Sequence, residues 1–134
     1  MECSVLYEGW QMECCGKPFT IGDIVRWPVV AWKKQIAVSN GESRDSDYAY
    51  EAHGDSNEGL YILQGVVYQI DVLYTVRKPS DDDPRLMLPF SDFFVTAEKA
   101  DGEEEEIDGA DFDAYIVSLK NIEIRPVSAD EPIL

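Results

Sequence analysis

Cys14 and Cys15 are neighbours in the chain, and His53 is its one histidine. Thiolate and imidazole are the ligands that Zn²⁺ favours, so Cys14, Cys15 and His53 form a candidate zinc site, with Cys3 or an acidic residue available to complete the set. The spacing is awkward for that role. Zinc knuckles separate paired cysteines by two residues so that both sulfurs turn inward, whereas neighbours in an extended chain point to opposite faces. A turn at Cys15-Gly16 would aim both inward. The competing reading makes one thiol a small buried hydrophobe and the other a turn residue, with His53 an ordinary loop residue beside Asp55. Three cysteines, two of them adjacent, write no ordinary disulfide framework. A Cys14–Cys15 bridge would distort the intervening peptide and act as a redox feature rather than a staple, so reduced thiols are expected.

Other chemistry is thinner. A Cys14 or Cys15 nucleophile with His53 as base can be written from composition alone, but nothing in the sequence brings the partners together. Gly-rich phosphate loops, serine nucleophile elbows and paired-histidine metal motifs are absent. Asp45-Ser46-Asp47 and the run from Asp55 to Gly59 offer oxygen ligands at alternating positions, but the glycine comes one place early for a calcium loop and Val66 stands where the closing glutamate belongs. Among the aromatic residues, Trp10, Trp27, Trp32, Tyr48, Tyr50, Tyr61, Tyr68 and Tyr74 could line a groove but more simply fill a core. Tyr48 and Tyr50, next to a polar loop, are the candidates for an exposed ligand or partner surface, and Trp27 is the candidate for the core.

The elements that must position these residues read as strands. Along residues 60–77, Leu60, Ile62, Val66, Tyr68, Ile70, Val72, Tyr74 and Val76 alternate with Gln69, Asp71, Thr75 and Arg77, which is strand period. So long a strand must bend, and Gly65 is the expected bend, as at the corners of small closed barrels. Residues 23–32 form a second strand with two apolar faces, and Pro28 places it at an edge or breaks it. Residues 4–10, 93–96, 115–119 and 122–126 add shorter strands, the last two joined by a turn or bulge at Lys120-Asn121. Residues 39–47, with an Asn40-Gly41 turn, and 53–59, 78–84 and 99–109 read as loops. The acidic run from Asp101 to Glu106 reads as a solvated, mobile loop. The expectation is an all-β domain over residues 1–127, a small, strongly bent antiparallel sheet or barrel, followed by a short tail at 128–134.

Two resemblances accompany this reading. The pattern Gly9-Trp10-Gln11-Met12-x-Cys14-Cys15-Gly16-x-Pro18-Phe19, with His53-Gly54 and the strand Gly65-Val66-Val67, resembles an uncharacterised bacterial family, a domain of unknown function, over nearly the whole chain. That resemblance implies relatives rather than a reaction. Gly22-Asp23-Ile24-Val25, a glycine turn launching a strand, resembles the first core strand of SH3-like barrels.

Composition bounds the rest. The 134 residues are 45% hydrophobic, enough for one packed core, and carry 11 Lys+Arg against 27 Asp+Glu, a formal net charge of −16. So acidic a chain repels a phosphate backbone, which argues against direct nucleic-acid binding. No apolar run approaches a membrane span, and Met1-Glu2-Cys3-Ser4 lacks the basic start of a secretory leader, so a soluble cytoplasmic protein is expected. The leading functional expectation is a non-enzymatic module without a cofactor that binds a protein or small ligand. The alternatives are a zinc protein or metal-dependent enzyme using Cys14, Cys15 and His53, and an acidic mimic of DNA.

Overall fold

The computed structural model describes residues 1–52, 54 and 56–132. They form β1 (Glu2–Glu8), one short helix α1 (Gly9–Cys15), β2 (Phe19–Thr20), β3 (Ile24–Ala37), β4 (Ser43–Tyr50), β5 (Leu60–Pro79), β6 (Met87–Ala97), β7 (Lys99–Ala100) and β8 (Asp111–Pro126). Six strands make one sheet in the order β3-β4-β1-β8-β5-β6, and a further pairing of β3 with β5 curls it until hydrogen bonds nearly close it. β2 and β7 form a separate pair. The strongly bent all-β architecture is the one that the patterning implies. β1 and β4 run parallel, however, so the sheet is mixed rather than wholly antiparallel.

β5 makes the closure possible. Its first half pairs with β3 and its second half with β6, while β8 accompanies both halves on the other side. The register between β5 and β8 slips between Gln64 and Val66. A Cβ at Gly65 would lie 3.1 Å from both Ile122 Cγ2 and Leu119 Cβ and 3.2 Å from the Lys120 carbonyl oxygen, so glycine is what lets the two backbones close there. On β8, Asn121 takes φ +54°, a left-handed conformation that asparagine tolerates, and absorbs the extra residue. Residues 115–119 and 122–126 are therefore one strand with a bulge at its middle.

Besides Lys99–Ala100, which open the expected 99–109 loop as strand β7, two longer stretches depart from the sequence expectation. Asn40-Gly41 turns the chain as expected, but Ser43 onward belongs to β4 rather than to a loop. The polar side chains that disguise this strand are used inside the fold. Ser46 is buried, its hydroxyl donating to the Trp32 carbonyl at 3.0 Å where β3 bulges between Ala31 and Lys34. Arg44 reaches Asp71 of β5 at 3.2 Å. Residues 4–10 split at Glu8, where α1 begins. A Cβ at Gly9 would meet the Phe112 ring at 2.7 Å, so glycine lets α1 lie flat against β8.

The core is aromatic. Tyr7 stacks on Tyr50 with ring centroids 4.1 Å apart and meets Trp27 edge-on at 5.3 Å, while Phe19 and Tyr115 close the cluster. Such pairs add roughly 0.5–1.5 kcal/mol each beyond the area they bury. Tyr115 also anchors the acidic run, accepting from the Gly102 N–H at 2.8 Å and donating to Glu104 at 2.5 Å. That run is thus pinned at two points rather than left to its own repulsion. The tail is held as well: Asn57 Nδ2 donates to the Ser128 and Glu131 carbonyls at 2.8 and 2.7 Å, and Arg125 clasps both Glu131 carboxylate oxygens at 2.8 and 2.6 Å.

Candidate functional site

β3 lies between β4 and β5 only at Val29 and Val30; from Ala31 on it pairs with β4 alone, and over Ile24–Pro28 its only strand partner among the described residues is β5. Pro28 stands at this boundary, and its carbonyl accepts from the Glu51 N–H at 3.0 Å. The edge predicted by Pro28 is therefore real, and the strand does not break. Successive residues of a strand direct their backbone groups to opposite sides. The Asp23 carbonyl accepts from Val67 N–H of β5 at 2.9 Å, whereas the Pro28 carbonyl points the other way. By that alternation Val25 and Trp27 bond to β5, while Ile24 and Arg26 turn their N–H and C=O groups to the open edge.

Beside this edge lies a cleft of about 620 Å³. Its floor is the aromatic cluster of Tyr7, Phe19, Trp27 and Tyr50. Its walls are Ile24–Pro28 on one side and Cys15, Lys17 and Pro18 on the other, with Glu131 and Pro132 of the tail at one end. Each wall has a local cause. Thr20 N–H donates to the Asp23 carboxylate at 2.8 Å and Gly22 takes φ +94°, a turn that swings β2 away from β3 and opens the gap. Gly16 follows α1 with its N–H capping the Gln11 and Met12 carbonyls, and a Cβ there would collide with the Tyr7 hydroxyl. Gln11, itself buried, donates to the Tyr50 carbonyl at 2.9 Å and so ties α1 to the end of β4.

The electrostatics differ from those of the chain as a whole. Lys17, Arg26, Asp23 and Glu131 all line the cleft, two of each sign, so it is near neutral inside a chain of net charge −16. Arg125 holds the Glu131 carboxyl below its ordinary range, with Arg26 a smaller contributor. Burial, and then the hydrogen bond with Tyr50, push the Tyr7 phenol far above the ordinary tyrosine range, so Tyr7 is a neutral hydrogen-bonding group at any physiological pH. The arrangement suits binding: an apolar floor, a few polar groups at the rim and an unpaired strand edge.

The expected site residues fall in different places. Cys14 and Cys15 end α1, both exposed, with their sulfurs 2.8 Å apart, and Cys15 borders the cleft. The hydrogen bond with Cys14 raises the Cys15 thiol above its ordinary value. His53 and Asp55 lie outside the described residues. Cys3 faces the interior of β1 next to Asp47, where burial first and that carboxylate second push its thiol up to about 11. Among the described residues no three of His, Cys, Asp and Glu gather as a metal centre requires, so Cys3 does not complete a set with Cys14 and Cys15. Asp47 is engaged in the fold, accepting from the Ser4 N–H at 2.9 Å. Trp27 is in the core as expected. Tyr50 is not exposed: at 8% accessibility its ring lies under Tyr7, because the polar loop expected beside it is strand β4. Tyr48 is half-buried. Tyr7, Lys17 and Phe19 are cleft residues that the sequence reading passed over. Tyr7 was readable, since Cys3, Val5 and Tyr7 alternate on the buried face of β1.

The chain belongs to a family of unknown function (DUF6578), whose model matches residues 1–121. No curated protein and no solved structure matches it, so the architecture rests on its own strand pairing. No helix among the described residues is long and apolar enough to cross a membrane.

Proposed function

Proceeding from membership of that family, we propose that the chain is a non-enzymatic binding module that takes an extended peptide segment along the open edge of β3, with one apolar side chain of the peptide in the aromatic cleft. The observation that carries this reading is the coincidence of the two features: Ile24–Pro28, the stretch of β3 paired with β5 but not with β4, is also one wall of the cleft. Adding a strand to a sheet edge supplies main-chain hydrogen bonds, and a neighbouring pocket supplies specificity for alternate side chains. The charge of the chain favours a segment from a basic partner, which it would attract and orient before contact.

A selection from a random linear-peptide display library tests the reading. Binders should carry an aromatic or aliphatic anchor flanked by basic residues. Arg26→Ala removes a side chain but keeps the edge N–H, whereas Arg26→Pro also removes that N–H at an edge position where proline is tolerated. One lost hydrogen bond at a desolvated contact corresponds to about tenfold in affinity, so Arg26→Pro should bind about tenfold more weakly than Arg26→Ala with an unchanged fold. Equal binding by the two variants would refute strand addition.

A further inference from the structure

Of the aromatic residues that could line a groove, Trp10 and Trp32 stand outside that reading. They are 50% and 44% exposed and belong to different elements, α1 and β3, yet both border a second groove of about 450 Å³. This groove lies on the outer face of the sheet, since Leu6 of its lining alternates along β1 with the core residues Val5 and Tyr7. Its floor is apolar: Leu73 and Ala114 are buried there, with Leu6 and Ile36 packed against them.

The indole rings are set for a cation. Lys34 Nζ already lies 5.8 Å from the centroid of the Trp32 ring, within the range at which an ammonium is drawn to an aromatic face. Trp10 donates its indole N–H to Glu8 at 2.8 Å, which orients that ring and sets a carboxylate at its edge. The lining carries three carboxylates, Glu8, Glu13 and Asp113, against the single ammonium of Lys34, so its potential is negative, like that of the whole chain. An anion is repelled by that field, and a neutral ligand gains nothing from it. Glu8 is bonded to Trp10, and Asp113 to Arg77 at 3.2 Å and Thr75 at 3.3 Å, so both supply charge while already holding donors. A primary ammonium is strongly hydrated and brings three donors that want acceptors. A quaternary ammonium has no N–H to satisfy, and its methyl groups suit an apolar floor with indole walls.

We propose that the groove bordered by Trp10 and Trp32 binds a small quaternary-ammonium compound, with its cationic head against the indoles and its charge offset by Glu8, Glu13 and Asp113. The volume is that of a small-molecule site. Lys34 is then an internal competitor, whose ammonium leaves the Trp32 face as the ligand arrives. The site is separate from the open edge of β3, so the failure of either reading leaves the other standing.

The test titrates the isotopically labelled full chain with choline at constant ionic strength and follows its three indole N–H signals by NMR. Those of Trp10 and Trp32 should move saturably, while that of Trp27, 8% exposed in the core, stays in place. The neutral carbon isostere of choline, with a tert-butyl group for the trimethylammonium, should bind about tenfold more weakly. Trp32→Leu keeps apolar bulk without the ring and should weaken choline binding about fivefold to tenfold. Lys34→Met removes the competing charge but keeps the apolar stem, and should tighten choline binding several-fold, a gain that damage to the fold would not produce. Equal binding of the isostere, fixed Trp10 and Trp32 signals, or a Lys34→Met variant that binds choline no more tightly would overturn the proposal. So would a trimethyllysine peptide that binds far more tightly than choline, because the occupant would then be a modified protein.

Discussion

At the scale of single residues, the fold depends on a few buried polar groups with complete partners. Asp71 is 1% exposed and accepts from Arg44 Nε at 3.2 Å, Gln69 Nε2 at 2.8 Å and Thr96 Oγ1 at 3.3 Å. Arg44 is about a third exposed and lies over the Phe94 ring. Removing the cation leaves a carboxylate in the protein interior, whereas removing the carboxylate leaves a guanidinium that can turn to water. Arg44→Ala should therefore cost about 3 kcal/mol in urea denaturation, and Asp71→Asn distinctly less. Equal costs would mean that the pair is solvated. Cys3 gives a pH dependence. Its thiol rises to about 11 in the fold, so its contribution is complete below the unfolded thiol value of about 8.5 and is lost as pH climbs towards 11. Tyr7 and Tyr115, also raised by burial, continue the loss above about 10. Stability measured across this alkaline range should fall, and Cys3→Ala should flatten the first part of the fall.

At the scale of elements, the pairing of β5 with β8 turns on Gly65 and Asn121. Gly65→Val would force a branched side chain against Leu119, Ile122 and a backbone carbonyl, and should destabilise by about 1–3 kcal/mol. Asn121→Gly should be tolerated, because its backbone is already left-handed. Thermal melts of both variants check this, and a neutral Gly65→Val would mean that the bend lies elsewhere. The Gly65 bend was legible in the sequence because the alternation from Leu60 onward is too long for a straight strand and contains one glycine. The edge character of β3 was legible through Pro28. β4 was not, because Arg44, Ser46 and Asp47 look like loop residues until Asp71, the Trp32 carbonyl and the Ser4 N–H are placed beside them. α1 was not legible either: at seven residues, with polar Gln11 among its buried positions, it shows no helical period. The cleft shares that fate, since Tyr7, Phe19 and Trp27 meet only through the closure of the sheet.

At the scale of the molecule, a near-neutral cleft sits inside a strongly acidic chain. A basic peptide should therefore associate faster at low salt, with the association rate falling as ionic strength rises and the dissociation rate changing little. Stopped-flow measurements on the selected peptides check this, and a salt-independent association rate would show that the net charge plays no part in recognition. The most direct test of the central claim is residue-resolved amide hydrogen exchange along β3, with and without a selected peptide. In the unbound protein the Val25 and Trp27 amides should exchange slowly, bonded to β5, while those of Ile24 and Arg26 exchange fast, and peptide binding should slow that second pair. If Ile24 and Arg26 are already as protected as their neighbours, or stay fast in the complex, the open edge is not where the peptide binds.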